Sequence, residues 1–377
     1  MITKIKIISL NSYRFLFRGL AFGLNLARAV NSHIRAFNRK RQKYIPVEYG
    51  EMRMMFAKGP LKDDRGIGRV ARELLRQLTK LAETHRYNQQ RELSETRFSY
   101  RPVYFFPSIH WCPDLLPAPS VVAIHDVIPL IFSRSFPASS LEWNRRLKPV
   151  AHQAERIITV SDASARDIAR YLSVSPDRIT VIHNGITRLP VSSNPKTTLP
   201  SNPYIVFLGT YDQHKNLDVV WKALKEPGLE SVSLLMVGDN KSLKRKISEI
   251  GLSKRVMITG RISDAEVGYV ISNAKALVLP SLYEGFGLPP LEAILLGTPA
   301  ICSKRPAMTE LLDGLALFAD HDDPREWARC LRQVIEYPPS PEERIKKAEK
   351  VAGLYSWEAA ARKLLDCCLE ISILNKA

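Results

Sequence analysis

Short apolar segments that alternate with amphipathic segments constrain the fold of this chain more than any other feature. Before residue 190, the apolar segments are residues 52–57, 103–106, 121–128, 156–160 and 180–183. After residue 203, they are residues 204–208, 234–237, 256–259, 276–279, 300–302 and 316–318. Apolar strands that alternate with helices are typical of parallel sheets covered on both faces. The pattern predicts an α/β fold with two doubly wound, Rossmann-like domains.

A helical segment and a proline-rich stretch indicate how the chain is divided. In residues 69–81, apolar side chains recur every three or four positions, which is the stripe of a helix packed on a sheet. Residues 187–203 contain four prolines among Ser, Thr and Asn, which excludes a helix or a central strand. We therefore expect an N-terminal domain of residues 48–190, a linker of residues 191–203 and a C-terminal domain of residues 204–356.

The positive charge of the chain is concentrated at its start. The 377 residues carry a net charge of +17, and residues 1–47 contain ten Lys and Arg residues and no Asp or Glu. The longest uncharged stretch there, residues 19–27, is far shorter than the roughly 20 residues of a membrane-spanning helix. Cations among apolar residues predict a basic amphipathic helix on an anionic membrane surface. A poorly ordered extension and a misassigned start are the alternatives.

Composition and cysteine usage exclude several classes of protein. The chain is 45% hydrophobic and 25% charged, which excludes a mainly disordered, collagen-like or disulfide-stapled protein. Its five cysteines include no Cys-x-x-Cys pair, and the adjacent Cys367 and Cys368 have poor geometry for a disulfide or a zinc site. We expect reduced, buried cysteines and a cytoplasmic protein.

Residues 276–297 carry the sharpest functional pattern. An apolar strand is followed by a loop with Glu284, Gly285 and Gly287, and then by a helix that opens with prolines. Glycines allow backbone N–H groups to approach an anion, and the N-terminus of a helix carries a partial positive charge. The pattern predicts a phosphate site. Glu284 and Glu292 beside it are suited to hydroxyl groups, because carboxylates repel phosphates.

This segment, from Pro280 to Ala293, resembles the motif of the retaining family-4 glycosyltransferases of the GT-B fold. The resemblance implies two Rossmann-like domains with a cleft between them. It also implies that Glu284 contacts the donor sugar and that Glu292 binds the ribose of the nucleotide. The backbone amides implied to bind the donor phosphates are those of Gly285, Phe286, Gly287 and Leu288.

A second loop follows the first strand of the C-terminal domain. Gly209 permits close approach of the backbone to a ligand, and Lys215 is a compact cation that can neutralise a departing diphosphate. The loop is similar to the Gly…Lys-Asn element of the same family. The resemblance also implies an Arg in this loop, whereas this chain has Thr210 and His214 there.

In the N-terminal domain, residues 66–69 and residues 125–126 match the cleft loops of the family. The resemblance implies that Gly66 and Gly68 lie over the donor diphosphate and that Arg69 faces the acceptor. It further implies that His125, expected at the end of a strand, contacts the donor sugar, with Asp126 beside the acceptor. A tight turn and a structural histidine are the alternative interpretations.

Two further segments extend the resemblance, which covers about residues 50–370. Arg261 and Ile262 correspond to the loop that cradles the nucleobase, whereas Ser263 and Glu266 form a predicted capping box at the next helix. Asp322 or Asp323 is expected to cap a helix rather than to bind a metal. The family also implies that a final helix, residues 357–377, crosses back to the N-terminal domain.

The resemblance implies a retaining glycosyltransferase that moves a hexose, with mannose favoured, from a nucleotide-diphosphate sugar to a lipid-linked saccharide in lipopolysaccharide or exopolysaccharide synthesis. No metal or other cofactor is expected. The protein is expected on the cytoplasmic side of the inner membrane, held peripherally through residues 1–47. A GT-B phosphorylase or epimerase is an alternative. A nucleic-acid-binding protein is a further one, which is disfavoured because the cations are concentrated outside the two domains.

Overall fold

The structure, a computed structural model, describes residues 43–63, 66–89, 101–238 and 243–375. The predicted amphipathic helix at the start of the chain lies outside the described residues, up to residue 42. Within them, the chain forms two six-stranded sheets with helices packed on both faces. The α/β prediction is confirmed.

The first sheet contains its strands in chain order. They are β1 Tyr44–Tyr49, β2 Met52–Ala57, β3 Val103–Phe106, β4 Ser120–Ala123, β5 Arg156–Thr159 and β6 Ile179–Val181. β1 is antiparallel to β2, and the other neighbours are parallel. β1 corrects the sequence prediction, which assigned residues 44–47 to the basic segment. Only Val47 of this edge strand is buried, so its apolar alternation was weak.

The second sheet reverses its strand order. Its strands are β7 Tyr204–Leu208, β8 Ser233–Val237, β9 Val256–Gly260, β10 Ala276–Leu279, β11 Ala300–Ser303 and β12 Leu317–Ala319. They are all parallel and lie in the order β12-β11-β10-β7-β8-β9. This order is that of a doubly wound sheet with its switch point between β7 and β10. In the described residues, the strands of the first sheet lie in chain order, and apolar clusters pack helices on both of its faces.

Thirteen α-helices are seen in the described part of the chain. Those connected with the first sheet are α1 Gly66–Gln89, α2 Ile128–Ile131, α3 Pro137–Glu142, α4 Lys148–Gln153 and α5 Asp162–Leu172. The others are α6 Leu217–Ala223, α7 Lys244–Glu249, α8 Asp264–Ser272, α9 Leu288–Leu295, α10 Pro306–Leu312, α11 Pro324–Glu336, α12 Pro341–Leu354 and α13 Trp357–Leu374. None of these helices combines the length and the hydropathy needed to cross a bilayer.

Helix α13 follows the second sheet in sequence but packs on the first. Its buried Leu364 and Ile371 share one apolar cluster with Leu78 of α1 and with the strands of the first sheet. The Trp357 Nε1 donates a hydrogen bond to Thr187 Oγ1 at 2.9 Å. The last helix therefore ties the two parts of the chain together by burying apolar surface.

The segment between the two sheets, residues 182–203, contains neither helix nor strand. Glu266 fastens it, because its carboxylate accepts hydrogen bonds from the amides of Lys196 and Thr197 at 2.8 and 2.9 Å. Ser263 caps α8 as predicted, but the carboxylate of Glu266 is engaged with the linker, so only half of the predicted capping box is formed. The exact domain boundaries stay predictions.

The contact between Gly185 and α13 leaves no room for a side chain. A Cβ at Gly185 would lie 2.2 Å from the Trp357 nitrogen, whereas a Cβ at Gly353 in α12 would meet nothing within 4 Å. We expect Gly185→Ala to destabilise the protein by about 1–3 kcal/mol through overpacking. Gly353→Ala is the matched control and should be neutral or stabilising by up to about 1 kcal/mol. Equal thermal unfolding midpoints for the two variants would contradict this.

Candidate active site

The switch point of the second sheet brings two predicted loops together. The loop after β7 carries Lys215, and the loop after β10 carries Glu284. Because β7 and β10 are parallel neighbours, their carboxyl ends lie at the same edge of the sheet. In doubly wound sheets, ligands bind in the crevice that such a switch point opens.

Lys215 and Glu284 form a largely buried ion pair in this crevice. The Lys215 Nζ lies 2.6 Å from the Glu284 Oε1, and the two side chains are 19% and 13% exposed. The Ser281 hydroxyl donates to the same Oε1 at 2.6 Å. Burial alone would raise the pKa of Glu284, but Lys215 and the Ser281 hydrogen bond outweigh burial and hold it below its ordinary value. Glu284 is therefore a carboxylate at neutral pH.

Asn216 holds the loop that carries Lys215. Its φ of +52° is in the left-handed region, where the chain turns from Lys215 into α6. Its side-chain amide donates to the carbonyl of Pro280 at 3.2 Å and to that of His321 at 2.6 Å. Asn216 and Ser281 thus position the ion pair, although sequence reasoning assigned neither a role. The signals were an Asn directly after the lysine and a Ser three residues before Glu284.

The predicted phosphate loop leads into α9 as expected. Gly287 has a φ of +79° at the start of the helix, and a Cβ there would lie 2.8 Å from the Met308 Cε. Pro289 and Pro290 have no N–H to offer in the first turn. The amides of residues 285–288 are therefore those available to an anion at this end of α9, and Phe286 between them is buried.

Arg69 contacts Glu292 across the cleft. The Arg69 Nη1 lies 2.5 Å from the Glu292 Oε1, and Glu292 is only 5% exposed. Burial raises the pKa of Glu292, although the Arg69 guanidinium opposes the rise. Gly68 is required nearby, since a Cβ there would lie 1.7 Å from the Asp63 carbonyl oxygen; at Gly66 a Cβ would meet nothing. The structure thus joins a predicted acceptor residue to the predicted ribose residue.

His125 and Asp126 follow β4, which ends at Ala123. This corrects the predicted strand of residues 121–128, because the chain leaves the sheet early and enters the short helix α2. The His125 Nε2 lies 3.1 Å from the Pro107 carbonyl, so this nitrogen carries the hydrogen. Burial lowers the pKa of His125 and raises that of Asp126, whose Oδ1 accepts from the Ile128 amide.

The two loops of the cleft touch at Gly285. A Cβ at Gly285 would lie 2.6 Å from the His125 carbonyl oxygen and 3.4 Å from the Asp126 Cβ. Glu284 is close enough to Asp126 to raise its pKa further. Residues predicted separately in the two halves of the chain, His125 and Asp126 on one side and Glu284 on the other, therefore face one another.

Thr210 and His214 are the two residues at which the family resemblance implied an Arg. The Thr210 hydroxyl donates to Asp212 at 3.0 Å. His214 is buried and lies against the rings of Phe132 and Phe136, with centroids 6.1 and 5.6 Å away. Among residues 209–216, Lys215 is the one Lys or Arg side chain.

The remaining predicted residues follow strands of the second sheet or cap one of its helices. Gly209 directly follows β7 with a φ of +136°. Arg261 and Ile262 follow β9, two strands away from β7, and their role in base binding stays a prediction. Asp323 caps α11, as predicted, by accepting from two backbone amides. Among the described residues, Asp320, His321 and Asp322 could form a metal-binding cluster, and the absence of a metal requirement stays a prediction.

Comparisons with known families agree with this architecture. The model of "Glycosyltransferase Family 4" matches residues 98–188, and that of "Glycosyl transferases group 1" matches residues 193–351. The HepE protein of Anabaena, solved with UDP and glucose, has a similar fold, with a TM-score of 0.53 and 18% identity over 71% of this chain and 78% of that one.

Two curated relatives are mannosyltransferases by name. The O-antigen chain mannosyltransferase RfbU of Salmonella typhimurium is 28% identical over 58% of this chain and 61% of its own length. The O-antigen chain mannosyltransferase B of Escherichia coli is 25% identical over 75% of this chain and 78% of its own length. The chain thus spans about three-fifths of the first relative that it matches.

The two Rossmann-like sheets are those of a two-domain α/β enzyme class, and the cleft between them carries a lysine, two carboxylates and a glycine-containing loop that leads into a helix. Within that class, residues 98–188 and 193–351 match two glycosyltransferase family models, and the two-sheet architecture is that of the GT-B fold.

The buried His125 predicts a pH effect on stability. Its folded pKa lies below the ordinary 6.5, so the unfolded chain gains a proton before the folded protein does as the pH falls. The free energy of unfolding should therefore fall below pH 6.5, by up to about 1.4 kcal/mol per pH unit from this group. His125→Gln should flatten this slope in urea unfolding at several pH values. The same slope in both proteins would contradict the prediction.

Proposed function

We propose that this protein is a retaining glycosyltransferase that transfers a hexose, with mannose favoured, from a nucleotide-diphosphate sugar to a lipid-linked saccharide acceptor. The observation that carries the proposal is the buried Lys215–Glu284 pair at the switch point of the second sheet, with His125 and Asp126 opposite. The mannosyltransferase names of the two curated relatives support the mannose preference and a place in cell-surface polysaccharide synthesis.

The geometry supports a division of labour in the donor site. A diphosphate is suited to the amides of residues 285–288 and to Lys215. The amides carry partial positive charge and the lysine carries a full one, and both attract an anion. When the diphosphate engages Lys215, Glu284 is left to accept hydrogen bonds from sugar hydroxyls. Glu292 accepts hydrogen bonds from the ribose hydroxyls once its contact with Arg69 is broken.

In the transfer step, the bond between the anomeric carbon and the diphosphate oxygen breaks, and a bond from that carbon to the acceptor oxygen forms on the same face. Lys215 and the helix amides stabilise the negative charge that develops on the diphosphate. The acceptor proton passes to a phosphate oxygen of the leaving group. Burial lowers the pKa of His125 below its ordinary value, so the ring is neutral at pH 7. It contributes hydrogen bonding to the sugar without adding charge.

Replacement of the ion pair tests the donor site. We expect Lys215→Ala and Glu284→Gln each to reduce turnover by at least about 100-fold, because each removes charge or hydrogen bonding at the reacting bond. Turnover is measured as the release of nucleotide from a panel of UDP-, GDP- and ADP-sugars in the presence of an extract that contains saccharide acceptors. Lys222→Ala, an exposed lysine on α6, is the matched control and should keep full turnover.

Full turnover of both Lys215→Ala and Glu284→Gln would contradict the site assignment. Turnover that depends on added inorganic phosphate would instead favour a GT-B phosphorylase. The sugar nucleotide that supports the wild-type reaction identifies the donor.

Residues 1–42 are proposed to hold the enzyme on an anionic membrane. Deletion of residues 1–42 keeps β1, which starts at Tyr44. We expect the full chain to sediment with phosphatidylglycerol vesicles and the deleted chain to remain in solution, because basic residues near such a surface contribute about 1 kcal/mol each. Phosphatidylcholine vesicles are the control. Equal sedimentation of both chains with the anionic vesicles would refute the proposal.

A further inference from the structure

Glu310 makes a contact between the two halves of the chain that no sequence motif indicated. It lies on α10, beside the second sheet, and its two carboxylate oxygens accept hydrogen bonds from the amides of Asp162 and Ala163. The distances are 2.7 and 2.8 Å. These amides are the first two of α5, which is connected to the first sheet.

The carboxylate satisfies amides that α5 cannot satisfy itself. The first four amides of a helix have no partner within the helix. Ser161, the residue before α5, accepts from the Ser164 amide, so its side chain serves a later position. A carboxylate at this end of a helix is favoured by charge-assisted hydrogen bonds and by the helix dipole. Glu310 thus completes the cap of a helix in the other domain.

The same turn of α5 also contacts the predicted phosphate loop. The Ser161 hydroxyl donates to the carbonyl oxygen of Gly285 at 2.8 Å, and Ser161 is fully buried. Ala163 is buried in the apolar cluster of the second sheet, together with Phe286. The start of α5 is therefore held at two points, by Glu310 and by the residue next to Glu284.

These contacts fix the distance across the cleft at one side of the reacting groups. Gly285 touches the backbone of His125, so a shift of α5 relative to the second sheet would separate His125 and Asp126 from Glu284. Lys215, Glu284 and Glu292 are carried by the loops after β7 and β10 and by α9, whereas Glu310 lies on α10. Loss of Glu310 should thus change the distance between the two domains more than it changes the geometry of the nucleotide site.

We infer that Glu310 is a positioning residue that caps α5 across the cleft and holds the His125–Asp126 loop against the Glu284 loop in the arrangement that allows transfer. Its effect on transfer rests on the proposed function. Its effect on the approach of the two domains does not, and this difference allows the two to be tested separately.

The test compares Glu310→Ala and Glu310→Gln with Glu336→Gln, an exposed glutamate on α11 that serves as the control. Hydrogen exchange at the amides of Asp162 and Ala163 should accelerate at least tenfold in Glu310→Ala, and small-angle scattering should report a larger radius of gyration. Glu310→Gln, which keeps one acceptor oxygen, should be intermediate. Glu336→Gln should match the wild type in both measurements.

Kinetics separate positioning from simple loss of fold. We expect kcat for transfer to fall 10- to 100-fold in Glu310→Ala, whereas the dissociation constants of UDP and GDP change less than twofold. A parallel loss of nucleotide affinity and turnover would indicate a structural role and overturn the inference. Unchanged exchange and scattering would overturn it as well. A wild-type protein inactive on every sugar nucleotide would count against the proposed function, and exchange and scattering would still decide the role of Glu310.

Discussion

The ion pair of Lys215 and Glu284 is the interaction around which the cleft is organised. Two charges that are this little exposed have lost most of their hydration, and they are stable because each compensates the other. Removal of one partner would leave an unpaired charge in the crevice. The pair also needs the strand order of the second sheet, since residues 69 positions apart meet only because β7 and β10 are neighbours.

The contacts between the two halves of the chain follow from the same requirement for paired polar groups. Glu292 is buried and is balanced by Arg69, and the start of α5 is completed by Glu310 and by the carbonyl of Gly285. Such contacts are directional, so they define one relative placement of the domains more closely than apolar burial does. In the proposed function, the phosphates and hydroxyls of a nucleotide sugar replace the protein partners of Lys215 and Glu292.

Much of the fold was predictable because burial on a sheet leaves a local trace. All six strands of the second sheet and five of the first were found from apolar runs, with ends shifted mostly by one or two residues. β1 was missed because an edge strand buries little of its surface. His125 was placed in a strand because apolar residues continue beyond Ala123. Glu266 has the spacing of a capping box, but the linker amides of Lys196 and Thr197 compete for its carboxylate.

The sequence by itself determined the kinds of elements, the loops that follow strands and the residues of the predicted anion site, because periodicity and glycine or proline positions act over a few neighbouring residues. Tertiary structure alone decided the partners. Arg69 and Glu292 are 223 positions apart in the sequence. Glu310 is 147 and 148 positions from the two α5 residues whose amides it accepts from. Nothing local in the sequence links these partners. Strand order and the packing of one domain on the other bring them together, and both depend on the summed burial of many distant side chains.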